Sequence, residues 1–195
     1  MRWGRLALWT LGLVAAREAW LALGPRRWRR QEGYAAAKAR AEELGLPLLV
    51  VGAPSAGFVN VALTDYGCGD LCVDLEGCPG CERAVTGRAE DVLPMLPDGS
   101  AVAFVSCTLE YVDDVERVWR ELRRIAGREV YAVTVEPWSL TAFFFPGAQR
   151  RILAAPAPGS SGGISYRPLP WARAVPALPA LEGPRRLYNR HRERR

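Results

Sequence analysis

Four of the five cysteines fall in one stretch, Cys68-x3-Cys72-x5-Cys78-x2-Cys81. The pair in CPGC has the two-residue spacing of a zinc knuckle, whose thiolates help close a tetrahedral metal site. In an oxidising compartment the same pair, Cys78 and Cys81, suits a disulfide or redox couple. Cys72 lies in a segment that reads as a strand. The pleat fixes its direction, which makes convergence of all four sulfurs awkward. Free thiols are therefore the expected state. Zinc held by Cys68, Cys72, Cys78 and Cys81 and a 78–81 couple are the alternatives. Cys107 stands apart, between Ser106 and Thr108. The single histidine, His191, lies in the far tail, which argues against a Cys–His or Ser–His catalytic pair. Base work would fall to Asp70, Glu110 or Tyr111, each expected first as a structural or solvated group.

The elements that position these residues are legible around the segment LPDGSAVAFVSCTLEYVDDVERVWRELRRIAG, residues 96–127. Ala101 to Val105 is apolar throughout, as a strand covered on both faces should be. Asp113 is the expected N-cap of the next helix, with Glu116 completing a capping box. Val115, Val118, Trp119, Leu122, Ile125 and Ala126 then form its apolar face, and Gly127 stops it. EVYAVTV, residues 129–135, is the next strand. Strand, helix and strand at this spacing predict a parallel βαβ unit. The polar crest from Ser106 to Val112 then lies at the carboxyl end of a strand, where open α/β sheets bind ligands.

Upstream, PLLVVGAPSAGFVN (residues 47–60) is a buried strand running into a glycine-containing turn. GDLCVDLEG (69–77) is a second strand, with Asp74 near its carboxyl end. RAVTGRAEDVLPMLPDGS (83–100) gives a weak third strand followed by a loop. Residues 31–46 read as an alanine-rich helix closed by Gly45. The predicted class is α/β: a mostly parallel sheet with flanking helices, an N-terminal hydrophobic helix and an irregular basic C-terminal tail.

In this order the pieces resemble the class I S-adenosylmethionine-dependent methyltransferases, a Rossmann-like superfamily. The resemblance covers roughly residues 32–147 and is strongest over GRAEDVLPMLPDGSAVAFVSCTLEYVDDVERVWRELRRIAG. The glycine loop, VVGAPSAGF, keeps Gly52 and Gly57 but carries Pro54 and lacks the usual acidic lead residue. The resemblance implies S-adenosylmethionine as cofactor. It implies that Gly52 and Gly57 line the methionine part and that Asp74 accepts the ribose hydroxyls. Ala89 and Glu90 would flank the adenine, and Ser106 and Thr108 would border the transferring methyl.

Charge is distributed unevenly around this unit. Residues 1–46 carry a net +5, residues 47–147 a net −8 and residues 148–195 a net +8. Leu6 to Gly24 is apolar apart from Arg17 and Glu18, and is long enough to cross a bilayer of roughly 30 Å. Trp3, Trp9, Trp20 and Trp28 suit an interface, and Arg26, Arg27, Arg29 and Arg30 form a basic stop. Three readings remain open: a spanning helix, a helix lying in the interface, and a soluble packing helix. A cleavable signal peptide is not expected. If the segment spans, those arginines place the bulk of the chain on the cytoplasmic side.

Phe143 to Phe145 form an apolar knuckle. RRILAA and ISYRPL flank a Pro/Gly/Ser linker and could pair as a closing hairpin. RRLYNRHRERR ends the chain with arginines suited to an anionic lipid or nucleic acid, or simply to solvation.

The expected organisation is a membrane-anchor helix over residues 1–30, a methyltransferase-like α/β domain over 31–167 and a Pro/Arg-rich tail over 168–195. The expected function is a membrane-associated transferase acting on a small or lipid-like acceptor. The alternative is a non-catalytic scaffold of the same fold, linking a membrane to an anionic partner.

Overall fold

The computed structural model describes residues 2–54, 66–140 and 148–169, with backbone only for residues 2–8 and 22. Helix α1 (Arg2–Leu23) and helix α2 (Pro25–Leu44) precede strand β1 (Leu48–Val51). Then come β2 (Leu71–Asp74), β3 (Ala84–Thr86), the short helix α3 (Ala89–Val92) with a following 3-10 turn, and β4 (Val102–Ser106). Helix α4 (Val115–Ala126), β5 (Val130–Val133), β6 (Arg150–Ala154) and β7 (Ser165–Pro168) complete the described elements.

The first five strands form one sheet in the order β3-β2-β1-β4-β5, and every pairing is parallel. The apolar runs of β1 and β4 divide by period two between two cores. Leu49, Val51, Ala103 and Val105 face one side, with Val118, Leu122 and Ile125 of α4 packed there. Leu48, Val50, Val102 and Phe104 face the other, against Ala37 and Ala41 of α2. Burial on both faces is why these strands read as continuous apolar runs rather than alternating ones. The expected α/β class with a parallel sheet and flanking helices is what the molecule has.

Helix α2 ends on Gly45, whose φ of 64° closes the last turn. The boundary expected at residue 30 falls inside this helix. Its first turns are not a free basic stop: Arg26 and Arg30 are buried, and Arg26 is ion-paired to Glu136. Charge counting along the sequence could not show this, because the partner lies 110 positions away. Among the described residues no helix is long and apolar enough to cross a membrane.

Helix α4 starts one residue later than the capping box predicts. Asp114 is its N-cap and accepts from Arg117 N at 3.0 Å. Asp113 turns away to pair with Arg88. Two adjacent aspartates make either cap feasible from sequence; the ion pair selects the second. The segment after β3, expected as a loop, holds α3 and the 3-10 turn. RRILAA and ISYRPL do pair, as the antiparallel hairpin β6–β7, but in a separate two-stranded sheet. Arg150 fastens that hairpin to the domain by donating to Val112 O and Asp113 O. Phe143–Phe145 and the terminal arginines lie outside the described residues.

Candidate functional site

A sheet in this order changes winding direction between β1 and β4, and the crevice beyond their carboxyl ends is the natural ligand position. Gly52 leaves β1 there with φ +101°, and its N–H donates to Val73 O at 2.9 Å. A Cβ at this position would collide with Thr108 Oγ1 and lie 2.8 Å from Ser106 O. Glycine is required by both backbone angle and space. Thr108 Oγ1 lies 3.2 Å from Val51 O and 3.0 Å from Ser106 O, so its one proton ties the β4 rim to itself or to β1. Ser106 is buried beneath.

Asp74 ends β2 beside this crossing. Its Oδ2 accepts from Ala53 N at 3.0 Å and its Oδ1 from Glu76 N at 2.9 Å. The side chain therefore shapes the turn after β1. A carboxylate offers about four lone-pair sites, so two remain for hydroxyl donors. Gly87 N donates to Asp74 O at 3.0 Å, which draws the entrance of α3 to the same rim. Ala89 and Glu90 follow there, both buried. Glu90 Oε1 accepts from Asp113 N at 2.6 Å, so this carboxylate holds the loop before α4. The fold thus gathers Gly52, Asp74, Ala89, Glu90, Ser106 and Thr108 along one edge. Gly57 lies outside the described residues.

Two further rim groups have perturbed acidity. Cys107 sits at φ 49°, and burial pushes its thiol up to about 11, so it stays protonated near neutral pH. That makes it a poor nucleophile. Glu110 is 2% exposed, and burial raises its carboxyl to about 7. Its Oε1 accepts from Val135 N at 2.7 Å, and its Oε2 has no hydrogen-bond partner among the described residues. Of the three base candidates it is the buried carboxyl of the crest. Asp70 has the structural role: its Oδ2 accepts from Leu48 N at 2.7 Å, at the amino end of β1 and away from the rim. Tyr111 N donates to Thr108 O in a tight turn of the crest.

Sequence reasoning overlooked Tyr66 and Glu136. Tyr66 is buried against Phe104 and Tyr34, with its hydroxyl 3.2 Å from both Gly52 O and Ala53 O. Nothing local in FVNVALTDYGCG marks that role. Glu136, directly after the β5 segment, carried a signal: an acidic strand exit in a chain with an unmatched arginine run.

The cysteines depart from the free-thiol expectation. Cys68 is bonded to Cys81 and Cys72 to Cys78, so the 78–81 pairing is also replaced. The pleat turns Cys72 toward the α2 face, beside Val50 and Phe104. Gly77 and Gly80, at φ +84° and +83°, fold the following turn back under that face. The pleat direction expected to obstruct convergence is what allows it.

Comparison with known proteins finds no matching family model, no matching curated protein and no matching solved structure.

Proposed function

We propose that this chain is a membrane-associated protein of the Rossmann-like methyltransferase plan. Its β1/β4 rim binds S-adenosylmethionine and transfers methyl to a lipid-like acceptor. The observation that carries this reading is the strand order β3-β2-β1-β4-β5, with Gly52, Asp74, Ser106 and Thr108 on one carboxyl edge. Residual acceptor sites on Asp74 suit a ribose diol. Glu110 supplies a carboxyl titrating near neutrality for an acceptor proton.

The membrane part rests on α1. Trp9, Leu11, Leu13 and Trp20 are 63–71% exposed, on a helix that is apolar around most of its circumference. Such a helix is not stable in water without a cover. Arg17, midway along the apolar run, donates to Trp138 O and stacks over the Trp138 ring at 4.9 Å. That contact favours the interfacial over the spanning arrangement. Helix α2 is pinned at its start to Glu136, just past the carboxyl end of β5, and ends at the amino end of β1. Helix α1 therefore leaves the domain at the carboxyl rim, which supports an acceptor drawn from the lipid surface. Were α1 to span instead, the excess of arginine after the apolar run would favour the domain on the cytoplasmic side. The terminal arginines are proposed to reinforce contact with anionic lipid.

The second reading is a non-catalytic scaffold. It is favoured by the engagement of Asp74 and Glu90 with backbone N–H groups. Calorimetric titration with S-adenosylmethionine and S-adenosylhomocysteine decides. Saturable binding that Asp74→Ala weakens supports the enzyme reading. A folded chain that gives no heat with either ligand supports the scaffold and sinks the enzyme.

A further inference from the structure

The cysteine cluster has a chemistry independent of the rim. The sulfurs of Cys72, Cys78 and Cys81 lie within 4.8 Å of one another, and Cys68 is bonded to Cys81. Three sulfurs of the cluster therefore share one spot beneath β2, and the fourth, that of Cys68, is one S–S bond away through Cys81. Tetrahedral zinc with Zn–S of about 2.3 Å requires sulfurs roughly 3.8 Å apart. Once the S–S bonds open, the formerly bonded sulfurs must move apart and Cys68 must swing toward the other three, both by side-chain rotation.

The surroundings fit a closed structural site. Cys72 and Cys78 are buried, at 0% and 4% exposure. Cys78 and Cys81 bracket a turn in which Cys81 N donates to Cys78 O at 3.1 Å, with Gly80 at φ +83°. Two ligands from such a turn, one from a strand and one from the segment before it would supply a four-thiolate set from one short stretch. The described part of the cluster offers no fifth acidic ligand within the same radius. Sulfur-only ligation selects zinc or a similarly thiophilic cation over calcium or magnesium.

We infer that this cluster is a redox-gated zinc site: two disulfides when oxidised, a tetrathiolate metal centre when reduced. The conversion balances as follows. Two equivalents of a dithiol reductant deliver four electrons and four protons, opening both S–S bonds to four thiols and becoming disulfides themselves. One divalent zinc ion then binds, and the four thiols release four protons to the solvent. Cellular compartments that keep thiols reduced favour the metal form, and oxidising ones the disulfide form.

The test uses the full chain, reduced without oxygen, with the reductant removed and the thiols counted. Cobalt(II) is added as the spectroscopic probe, followed by zinc with a chromophoric chelator as competitor. The expected result is one equivalent of metal, with visible absorption of a tetrahedral cobalt–thiolate centre, and none for the oxidised chain. Cys78→Ser and Cys81→Ser should each weaken zinc by roughly 100-fold or more, since losing even an outer-shell partner costs about 10–100-fold. Cys107→Ser should leave the stoichiometry at one. A second readout is thermal unfolding, where zinc should raise the midpoint of the reduced wild-type chain. Five counted thiols with no cobalt–thiolate absorption would overturn the inference. So would zinc binding that persists undiminished in both Cys78→Ser and Cys81→Ser.

Discussion

Arg26 and Glu136 form a buried ion pair that fixes helix α2 to the exit of strand β5. Arg26 Nε and Nη2 lie 2.9 and 2.6 Å from Glu136 Oε2, and the side chains are 7% and 6% exposed. Arg29 reaches the second carboxylate oxygen, and Arg26 also reaches Ser139 Oγ at 3.3 Å. The carboxylate joins the start of α2 to the loop after β5, and two residues further along that loop Trp138 takes the contact from Arg17 of helix α1. The pair therefore sets where α1 leaves the domain.

Removing the carboxylate leaves a guanidinium buried without its partner. Glu136→Ala should destabilise the chain by about 3–5 kcal/mol, the usual cost of breaking a buried pair from one side. Lys38→Ala, which breaks an exposed pair with Glu42, should cost no more than about 1 kcal/mol. Urea unfolding of both variants measures the contrast. Equal small losses would show that the 26–136 pair does not hold α2.

Gly52→Ala tests the crossing of β1 and β4. The added methyl meets Thr108 Oγ1 and Ser106 O at a backbone angle that L side chains rarely adopt. The expected loss is about 1–3 kcal/mol of stability. Gly52→Ala with Thr108→Ser keeps the left-handed angle and the hydroxyl, so it should recover little. Gly52→Ala with Thr108→Gly opens the space and should recover part. Thermal unfolding reads stability, and the S-adenosylmethionine titration reads the site. An alanine variant as stable as the wild type would remove the steric argument.

The scaffold was legible because its signals are local. Apolar runs such as LLVV and VAFVS, the glycine stops at Gly45 and Gly127, and the α4 face all act within one element. The parallel pairing of β4 with β5 followed from strand–helix–strand spacing. The cysteine pairing was not legible, because it depends on which face Cys72 takes and on two glycine turns that bring Cys78 and Cys81 beneath it. The burial of Arg26 and Arg30 was not legible either, since a basic run beside an apolar helix has the same pattern whether it meets lipid headgroups or a distant glutamate. The partner of Asp70 was hidden for a related reason: sequence shows that a residue flanks a strand, but not that its carboxylate will bind the neighbouring strand's backbone.

Glu110 predicts a pH dependence of stability. Burial raises its folded-state value from 4.5 to about 7, so the folded chain holds a proton that the unfolded chain has released. The proton-linked stability is complete below about pH 4.5, declines as pH rises toward 7 and is gone above it. Glu110→Gln should flatten that decline while keeping the acceptor for Val135 N. Unfolding midpoints from pH 5 to 8 compare the two chains. A wild-type profile as flat as the variant's would show that the carboxyl titrates normally.

Helix α1 predicts binding to a lipid surface. Leu11 and Leu13 are 65% and 69% exposed, and burying each in acyl chains contributes about 1.5–3 kcal/mol. Replacing both with aspartate should lower partitioning onto phosphatidylcholine–phosphatidylserine vesicles by at least roughly 100-fold. Leu153→Asp, an exposed leucine on β6, should bind as the wild type does. Vesicle sedimentation measures both. Alkaline carbonate extraction then separates the two ways of holding lipid: an interfacial helix tied to Trp138 is released, whereas a spanning one is retained. The contact between Arg17 and Trp138 requires release, because a helix inserted along Leu6–Gly24 would carry that arginine away from the loop after β5. Retention in the pellet would refute the interfacial arrangement, and wild-type vesicle binding by the double aspartate variant would refute lipid as the cover of α1.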